Sequence, residues 1–124
     1  MNEIPDQNDL NTPVSFFKDN VQNFVNKRNW TKYHTPKNLV QAINCEAGEL
    51  SQLLLFKDYR KKDIWGDKNL LRNISDEIAD VFIYLISLIN VLDLDLSQVF
   101  TNKMEKNKKK YNIKEFNNGV YYKK

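Results

Sequence analysis

Two pairs of acidic residues occur in segments that otherwise have the composition of buried helix. Glu46 and Glu49 form the first pair, and Glu77 and Asp80 form the second. Both residues of each pair lie on one helix face, because they are spaced three positions apart. Buried carboxylates are costly unless opposite charge accompanies them. The pattern therefore predicts a divalent cation held by oxygen ligands, Mg²⁺ with Mn²⁺ as a substitute, and a phosphate-bearing substrate.

Each acidic pair lies on the same helix face as the apolar residues of its helix. On a helical wheel, Glu46 falls between Leu39 and Leu53, and the helix that carries Glu77 and Asp80 is apolar on most of its other sides. Each buried ion costs on the order of several kcal/mol against a total stability of about 5–15 kcal/mol. The acids are therefore either protonated or gathered around cations, and two pairs converging from facing helices favour cations. Neither pair supplies the histidine of a di-iron carboxylate site.

Long helices are predicted to position these acids, because the chain contains only three glycines and three prolines. Thr12 before Pro13 and Thr35 before Pro36 are start signals, and Asp95 is a further candidate N-cap. Burial on most sides of the third helix, in a chain of 124 residues, indicates an oligomer. The predicted helices cover about residues 13–28, 36–57, 70–92 and 95–111, with a charged loop at 58–68.

Size and composition suit a globular protein, with 124 residues, 41% of them hydrophobic. We expect a flexible segment at residues 1–11, a single helical domain at 12–111 and a C-terminal tail at 112–124. A net charge of +3 does not by itself indicate nucleic-acid binding. A single cysteine excludes an intramolecular disulfide, and no apolar run is long enough to span a bilayer. The expectation is a cytoplasmic protein with no nucleic-acid or membrane partner.

The acids and their surroundings resemble the MazG-like, all-α nucleoside triphosphate pyrophosphohydrolases. The metal motif of that family is Glu-x-x-Glu followed, after a few tens of residues, by Glu-x-x-Asp. Glu46, Glu49, Glu77 and Asp80 match this motif. The similarity runs from about residue 24 to 111 and is strongest to the dCTP pyrophosphatase branch. It includes the segments at 28–30, 33–39, 46–50, 76–85, 93–96 and 103–111.

The resemblance implies an all-α subunit, a short helical bundle, that assembles into a homotetramer built as a dimer of dimers. It also implies hydrolysis of a nucleoside triphosphate to the monophosphate and pyrophosphate, with removal of unwanted nucleotides as the role. All four acids would bind Mg²⁺. We predict Glu49 as the catalytic residue that orients or deprotonates the attacking water.

Three aromatic residues are candidates for the base and sugar pocket, since aromatic faces stack on bases. They are Trp30, Phe56 and Tyr84, for which core packing is the alternative. Tyr84 lies one turn beyond Asp80, where its ring could exclude a 2′-hydroxyl and favour deoxynucleotides. Phe56 stands where the cytidine branch usually carries tryptophan, and Val21 where it can carry histidine. The preferred base of the substrate therefore remains one of three: cytosine, adenine or a modified pyrimidine.

Lys103 and Asn107 match family positions near the phosphates and the nucleoside, and their spacing puts them on one helix face. The alternative for Lys103 is a solvated basic helix end. His34, the only histidine, is interpreted as structural.

Three other functions remain open. The first is a related pyrophosphohydrolase acting on dATP, dUTP or a phosphoribosyl nucleotide. The others are a non-enzymatic regulatory helical oligomer and a nucleic-acid-binding module using the C-terminal lysines.

Overall fold

The fold is all-α, as predicted, in the computed structural model, which describes residues 6–122. No strand occurs in that part of the chain. The predicted flexible segment and tail therefore fall partly outside the described residues, at 1–5 and 123–124. The helices are α1 (Val14–Lys27), a 3₁₀ helix (Thr31–Tyr33), α2 (Pro36–Leu53), α3 (Lys61–Trp65), α4 (Lys68–Val91) and α5 (Leu96–Lys110).

Two of the three predicted helix starts are confirmed. Thr35 Oγ1 accepts a hydrogen bond from the Asn38 N–H at 3.2 Å, which caps α2. Asp95 Oδ1 accepts one from the Gln98 N–H at 2.9 Å, which caps α5. Each bond satisfies one of the amides that the first turn leaves without a helical partner.

The predicted cap at Thr12 is wrong. Pro13 occupies the N-cap position in an extended conformation, with φ of −73° and ψ of 158°. The Thr12 hydroxyl instead donates to Asn11 Oδ1 at 2.8 Å. Helix α1 therefore begins one residue later than predicted, without a side-chain cap.

The predicted charged loop contains the short helix α3. Asp63 Oδ2 accepts a hydrogen bond from the Arg60 N–H at 2.9 Å, which stabilises the first turn of this helix. Asp67 Oδ1 then accepts one from the Leu70 N–H at 3.0 Å, so α4 begins at Lys68, two residues before the predicted start. Helix α2 ends at Leu53, also earlier than predicted.

Helix α4 is the central element of the first of two compact units, which ends at Asp93. Helices α1, α2 and α3 each pack against α4. Val25 of α1, Leu39 of α2 and Ile86 of α4 are the buried apolar side chains among the described residues. This packing brings the acidic segment of α2 against the acidic segment of α4.

A stripe of apolar side chains on α4 and its C-cap residue, Leu92, stays exposed within the single chain. Ile78, Leu85 and Leu92 lie at seven-residue intervals, with 54%, 40% and 48% of their surface exposed. A seven-residue apolar spacing is typical of a helix face that packs against another helix. The burial on most sides that was predicted for this helix is therefore not reached within the single chain.

The second unit begins at Leu94, and its described part contains α5 and residues 111–122. The Tyr111 and Phe116 rings pack edge to face with centroids 5.2 Å apart. The centroid of the Tyr122 ring lies 4.7 Å from that of the Phe116 ring. The Tyr122 hydroxyl also donates to Glu115 Oε1 at 2.8 Å. No helix in the described part of either unit has the length and apolar character to span a bilayer.

Candidate functional site

Helices α2 and α4 bring three carboxylates of the two acidic pairs together. Glu46 comes from α2, and Glu77 and Asp80 come from α4. One oxygen of each lies within 4.8 Å of the others, and all three residues are half-buried. The predicted convergence of two helices on one acidic cluster thus occurs for these three residues, which we call the carboxylate cluster.

The carboxylate cluster holds negative charge that no described residue neutralises. Oε2 of Glu46 and Oε2 of Glu77 are buried and accept no hydrogen bond from any described residue. None of the three acids pairs with a lysine or arginine in the described part of the chain. Orphaned buried oxygens and an all-carboxylate donor set fit a hard divalent cation.

Crowding and partial burial change the protonation of the cluster. Loss of hydration raises the pKa of Glu46 from 4.5 to about 7, and the neighbouring Glu77 and Glu49 carboxyls add to the rise. Loss of hydration also raises the pKa of Glu77, with the charges of Glu49 and Asp80 acting in the same direction. Without a cation, the cluster therefore retains a proton near neutral pH.

Glu49 lies at the edge of the carboxylate cluster. Its side chain is exposed, and it is not among the three acids whose oxygens lie within 4.8 Å of one another. Its charge is nevertheless close enough to raise the pKa of Glu77. The roles predicted for Glu49, in metal binding and in activating water, stay predictions.

A cleft of about 580 Å³ opens beside the carboxylate cluster. Trp30 and Tyr84, two of the aromatic residues predicted to contact the nucleotide, lie in its wall. The Trp30 ring packs edge to face against Phe24, with centroids 5.8 Å apart. The wall is mostly apolar, and it reaches two of the acids. The lining residues are Phe17, Asn20, Val21, Phe24, Val25, Trp30, His34, Glu46, Asp80, Phe82, Ile83, Tyr84 and Ser87.

The other three predicted nucleotide-binding residues are not part of this wall. Phe56 follows α2 in a left-handed conformation with φ of 60°, and its side chain is 98% exposed. Lys103 is exposed and Asn107 half-buried on α5, in the second unit. Their predicted contacts with the nucleotide stay predictions.

The cleft also contains residues that sequence reasoning did not assign to a site. His34, interpreted as structural, lies in the wall, and so do Asn20 of α1 and Ser87 of α4. A signal for Ser87 was present, because it follows Asp80 and Tyr84 on the polar stripe of α4. Asn20 carried no comparable signal, since its place in the wall depends on how α1 packs against α4.

Comparison with known proteins places the chain in a family. The model of the MazG-like family matches residues 42–123, which is more than half of the chain and includes both acidic pairs. The chain belongs to the MazG-like family. The resemblance inferred from the residues is thereby confirmed.

Curated relatives are about one-third identical to this MazG-like chain over the aligned residues. It is 33% identical to dCTP pyrophosphatase 1 of Mus musculus over 92 residues, which are 73% of this chain and 54% of that protein. It is 33% identical to dCTP pyrophosphatase 1 of Homo sapiens over 89 residues, which are 71% of this chain and 52% of that protein. The chain spans about half the length of these relatives.

A solved structure covers more of the MazG-like chain. A pyrophosphatase from Archaeoglobus fulgidus DSM 4304 matches with a TM-score of 0.72 and 31% sequence identity. The match covers 89% of this chain and 99% of that one. The helical architecture described above is therefore shared along nearly the whole length of that protein.

The raised pKa of Glu46 predicts how stability depends on pH. In metal-free protein we expect the melting temperature to fall as the pH rises from 4.5 through 7, because the folded state binds the Glu46 proton more tightly than the unfolded state. This stabilisation is complete below pH 4.5 and is lost above 7. Thermal melts in chelator across this range measure it, with Glu46→Gln as the non-titrating control. A slope equally steep in Glu46→Gln would assign the effect to other groups.

Proposed function

We propose that this chain is a Mg²⁺-dependent nucleoside triphosphate pyrophosphohydrolase, which converts a (deoxy)nucleoside triphosphate to the monophosphate and pyrophosphate. The preferred substrate is dCTP or a modified dCTP. The observation that carries the proposal is the carboxylate cluster of Glu46, Glu77 and Asp80 at the edge of an aromatic-lined cleft. The activities named for the two dCTP pyrophosphatases and for the archaeal pyrophosphatase support it.

The four acids of the family motif have separate tasks in this proposal. Glu46, Glu77 and Asp80 would hold the cation, with Glu49 completing the set from the edge of the cluster. Mg²⁺ bound there would neutralise triphosphate charge and stabilise the charge that develops as pyrophosphate leaves. Glu49 is exposed and therefore accessible to solvent, which suits a carboxylate that orients or deprotonates the attacking water.

The cleft walls supply recognition of the nucleoside. Trp30 offers an indole ring at the wall, where a base can stack on it. Tyr84 lies one helical turn beyond Asp80, so its ring is next to the carboxylate cluster, where the sugar would lie. A ring packed under the sugar leaves little room for a 2′-hydroxyl. The proposal therefore favours deoxynucleotides.

Assembly and the remaining contacts also belong to the proposal. The exposed apolar stripe at Ile78, Leu85 and Leu92 supports association with other copies of the chain. We propose a homotetramer, a dimer of dimers, located in the cytoplasm. The exposure of Phe56 fits a contribution to the cleft of a second copy. Lys103 would contact phosphate and Asn107 the nucleoside.

A substrate panel tests the proposed function. We expect pyrophosphate and a monophosphate from dCTP or 5-modified dCTP in Mg²⁺, at rates above those for the matching ribonucleotides. Pyrophosphate release across normal and modified nucleoside triphosphates, with products separated by chromatography, measures this. Faster release from dATP or dUTP would favour the second candidate, a related pyrophosphohydrolase with another base preference. Absence of release from every nucleotide would favour a non-enzymatic oligomer.

A further inference from the structure

Ser87 carries a buried hydroxyl for which the described part of the chain supplies no partner. The residue is 3% exposed, and its Oγ neither donates nor accepts a hydrogen bond there. It lines the cleft and also a neighbouring cavity of about 310 Å³. A buried hydroxyl without a partner costs free energy until one is provided. Its position on the cleft wall means that a ligand in the cleft can provide that partner.

The position of Ser87 along α4 indicates which part of a nucleotide it would meet. Ser87 follows Asp80 by seven residues and Tyr84 by three, so all three lie on one side of the helix. Seven residues of α-helix rise about 10 Å along the axis. The cleft therefore extends from the carboxylate cluster, past the Tyr84 ring, to Ser87. Phosphates at the acids and a sugar beside Tyr84 would place the base against Ser87.

Away from the acids and Tyr84, the wall offers the base few other polar side chains, those of Asn20 and His34. Phe17, Val21 and Val25 supply apolar surface in the same cleft, and Val21 and Val25 also line the neighbouring cavity with Ser87. The side-chain amide nitrogen of Asn20 already donates to the Phe16 carbonyl at 2.8 Å. In mostly apolar pockets, a few placed polar groups determine the orientation and specificity of the ligand. The unpartnered Ser87 hydroxyl has the character of such a group.

We propose that the Ser87 hydroxyl hydrogen-bonds the polar edge of the nucleobase and is a specificity-determining residue of this enzyme. The inference rests on the proposed function, because it assumes that a nucleoside triphosphate occupies the cleft. It adds a contact that the acidic motif does not contain. A base-directed contact affects binding of the nucleoside and leaves binding of pyrophosphate unchanged.

Ser87→Ala tests the inference in the full chain, since alanine removes only the hydroxyl and favours helix. For dCTP or dATP, whichever native protein hydrolyses faster, KM should rise about threefold to tenfold, with kcat changed less than about twofold. The inhibition constant of the matching monophosphate should rise by the same factor, and that of pyrophosphate should not change. The melting temperature of the nucleotide-free variant should equal or exceed that of native protein, because a buried unpaired hydroxyl has been removed.

Ser75→Ala is the matched control. Ser75 is an exposed serine of α4 whose hydroxyl donates to the Leu71 carbonyl at 2.7 Å, and its loss should leave KM unchanged. An unchanged KM in Ser87→Ala would overturn the inference, and so would a lowered melting temperature, which would assign the hydroxyl a structural bond. Equal weakening of monophosphate and pyrophosphate would overturn it too. If native protein hydrolyses no nucleotide, the proposed function itself fails, which is distinguishable from a failure at Ser87.

Discussion

Replacing Glu77 by glutamine should lower the rate of pyrophosphate release by at least about 100-fold, because a bound cation supplies several kcal/mol of transition-state stabilisation. Glu77 shares the carboxylate cluster with Glu46 and Asp80, and its Oε2 is one of the buried oxygens without a partner. Glutamine keeps the size of the side chain and removes the charge that the cation needs. Steady-state rates at saturating nucleotide and Mg²⁺ measure the loss. Glu46→Gln and Asp80→Asn should behave in the same way.

Asp76→Asn is the matched control for this loss. Asp76 precedes Glu77 on α4, is exposed and is not part of the carboxylate cluster, so its neutralisation should change the rate less than about threefold. The melting temperature of metal-free Glu77→Gln should not fall, because the variant relieves repulsion within the cluster. A Glu77→Gln protein that folds and retains more than about a tenth of the native rate would contradict the assignment of this residue to the cation.

Replacing Leu85 by glutamate should dissociate the proposed oligomer. Leu85 is the middle member of the exposed apolar stripe on α4, with Ile78 and Leu92 one repeat to either side. A charge buried in an apolar interface, without a counter-charge, costs more than one such contact contributes. Size-exclusion chromatography with light scattering should show a tetramer for native protein and smaller species for the variant. If Phe56 of a second copy contributes to the cleft, activity should fall as the tetramer dissociates.

Asn69→Glu adds the same charge to α4 outside the stripe and should leave the assembly unchanged, since Asn69 is exposed in the first turn of that helix. Leu85→Met keeps the apolar surface and should also assemble normally. Native protein that is monomeric at all concentrations would contradict the proposed assembly. A tetramer that persists in Leu85→Glu would place the interface on another face of the subunit.

Helix starts were predictable where a capping side chain determines them. Thr35 and Asp95 cap α2 and α5 as predicted, because such a bond is local and depends on residues three positions apart. At the start of α1 no side chain forms such a bond, and the extended conformation of Pro13 makes this residue the N-cap in place of Thr12. The five-residue helix α3 was missed because it is too short for an apolar period, although the Asp63 bond to the Arg60 N–H stabilises it.

The acidic cluster was predictable because helical periodicity places each acidic pair on a face. Its exact membership was not, since Glu49 is more exposed than its wheel position indicates and lies outside the group formed by Glu46, Glu77 and Asp80. Which acids belong to the cluster depends on how deeply α2 packs against α4, and a helical wheel of a single helix does not contain that information. The cleft shows the same dependence, because α1 supplies Asn20 to its wall through tertiary packing alone.

We expect pyrophosphate release to require divalent cations at the carboxylate cluster. The most direct measurement is pyrophosphate release from dCTP after complete chelation and then during titration with free Mg²⁺. Release should be absent in chelator and should recover saturably with Mg²⁺ or Mn²⁺, without a comparable recovery in Glu46→Gln. Hydrolysis of dCTP that continues at its full rate in chelator would contradict this expectation.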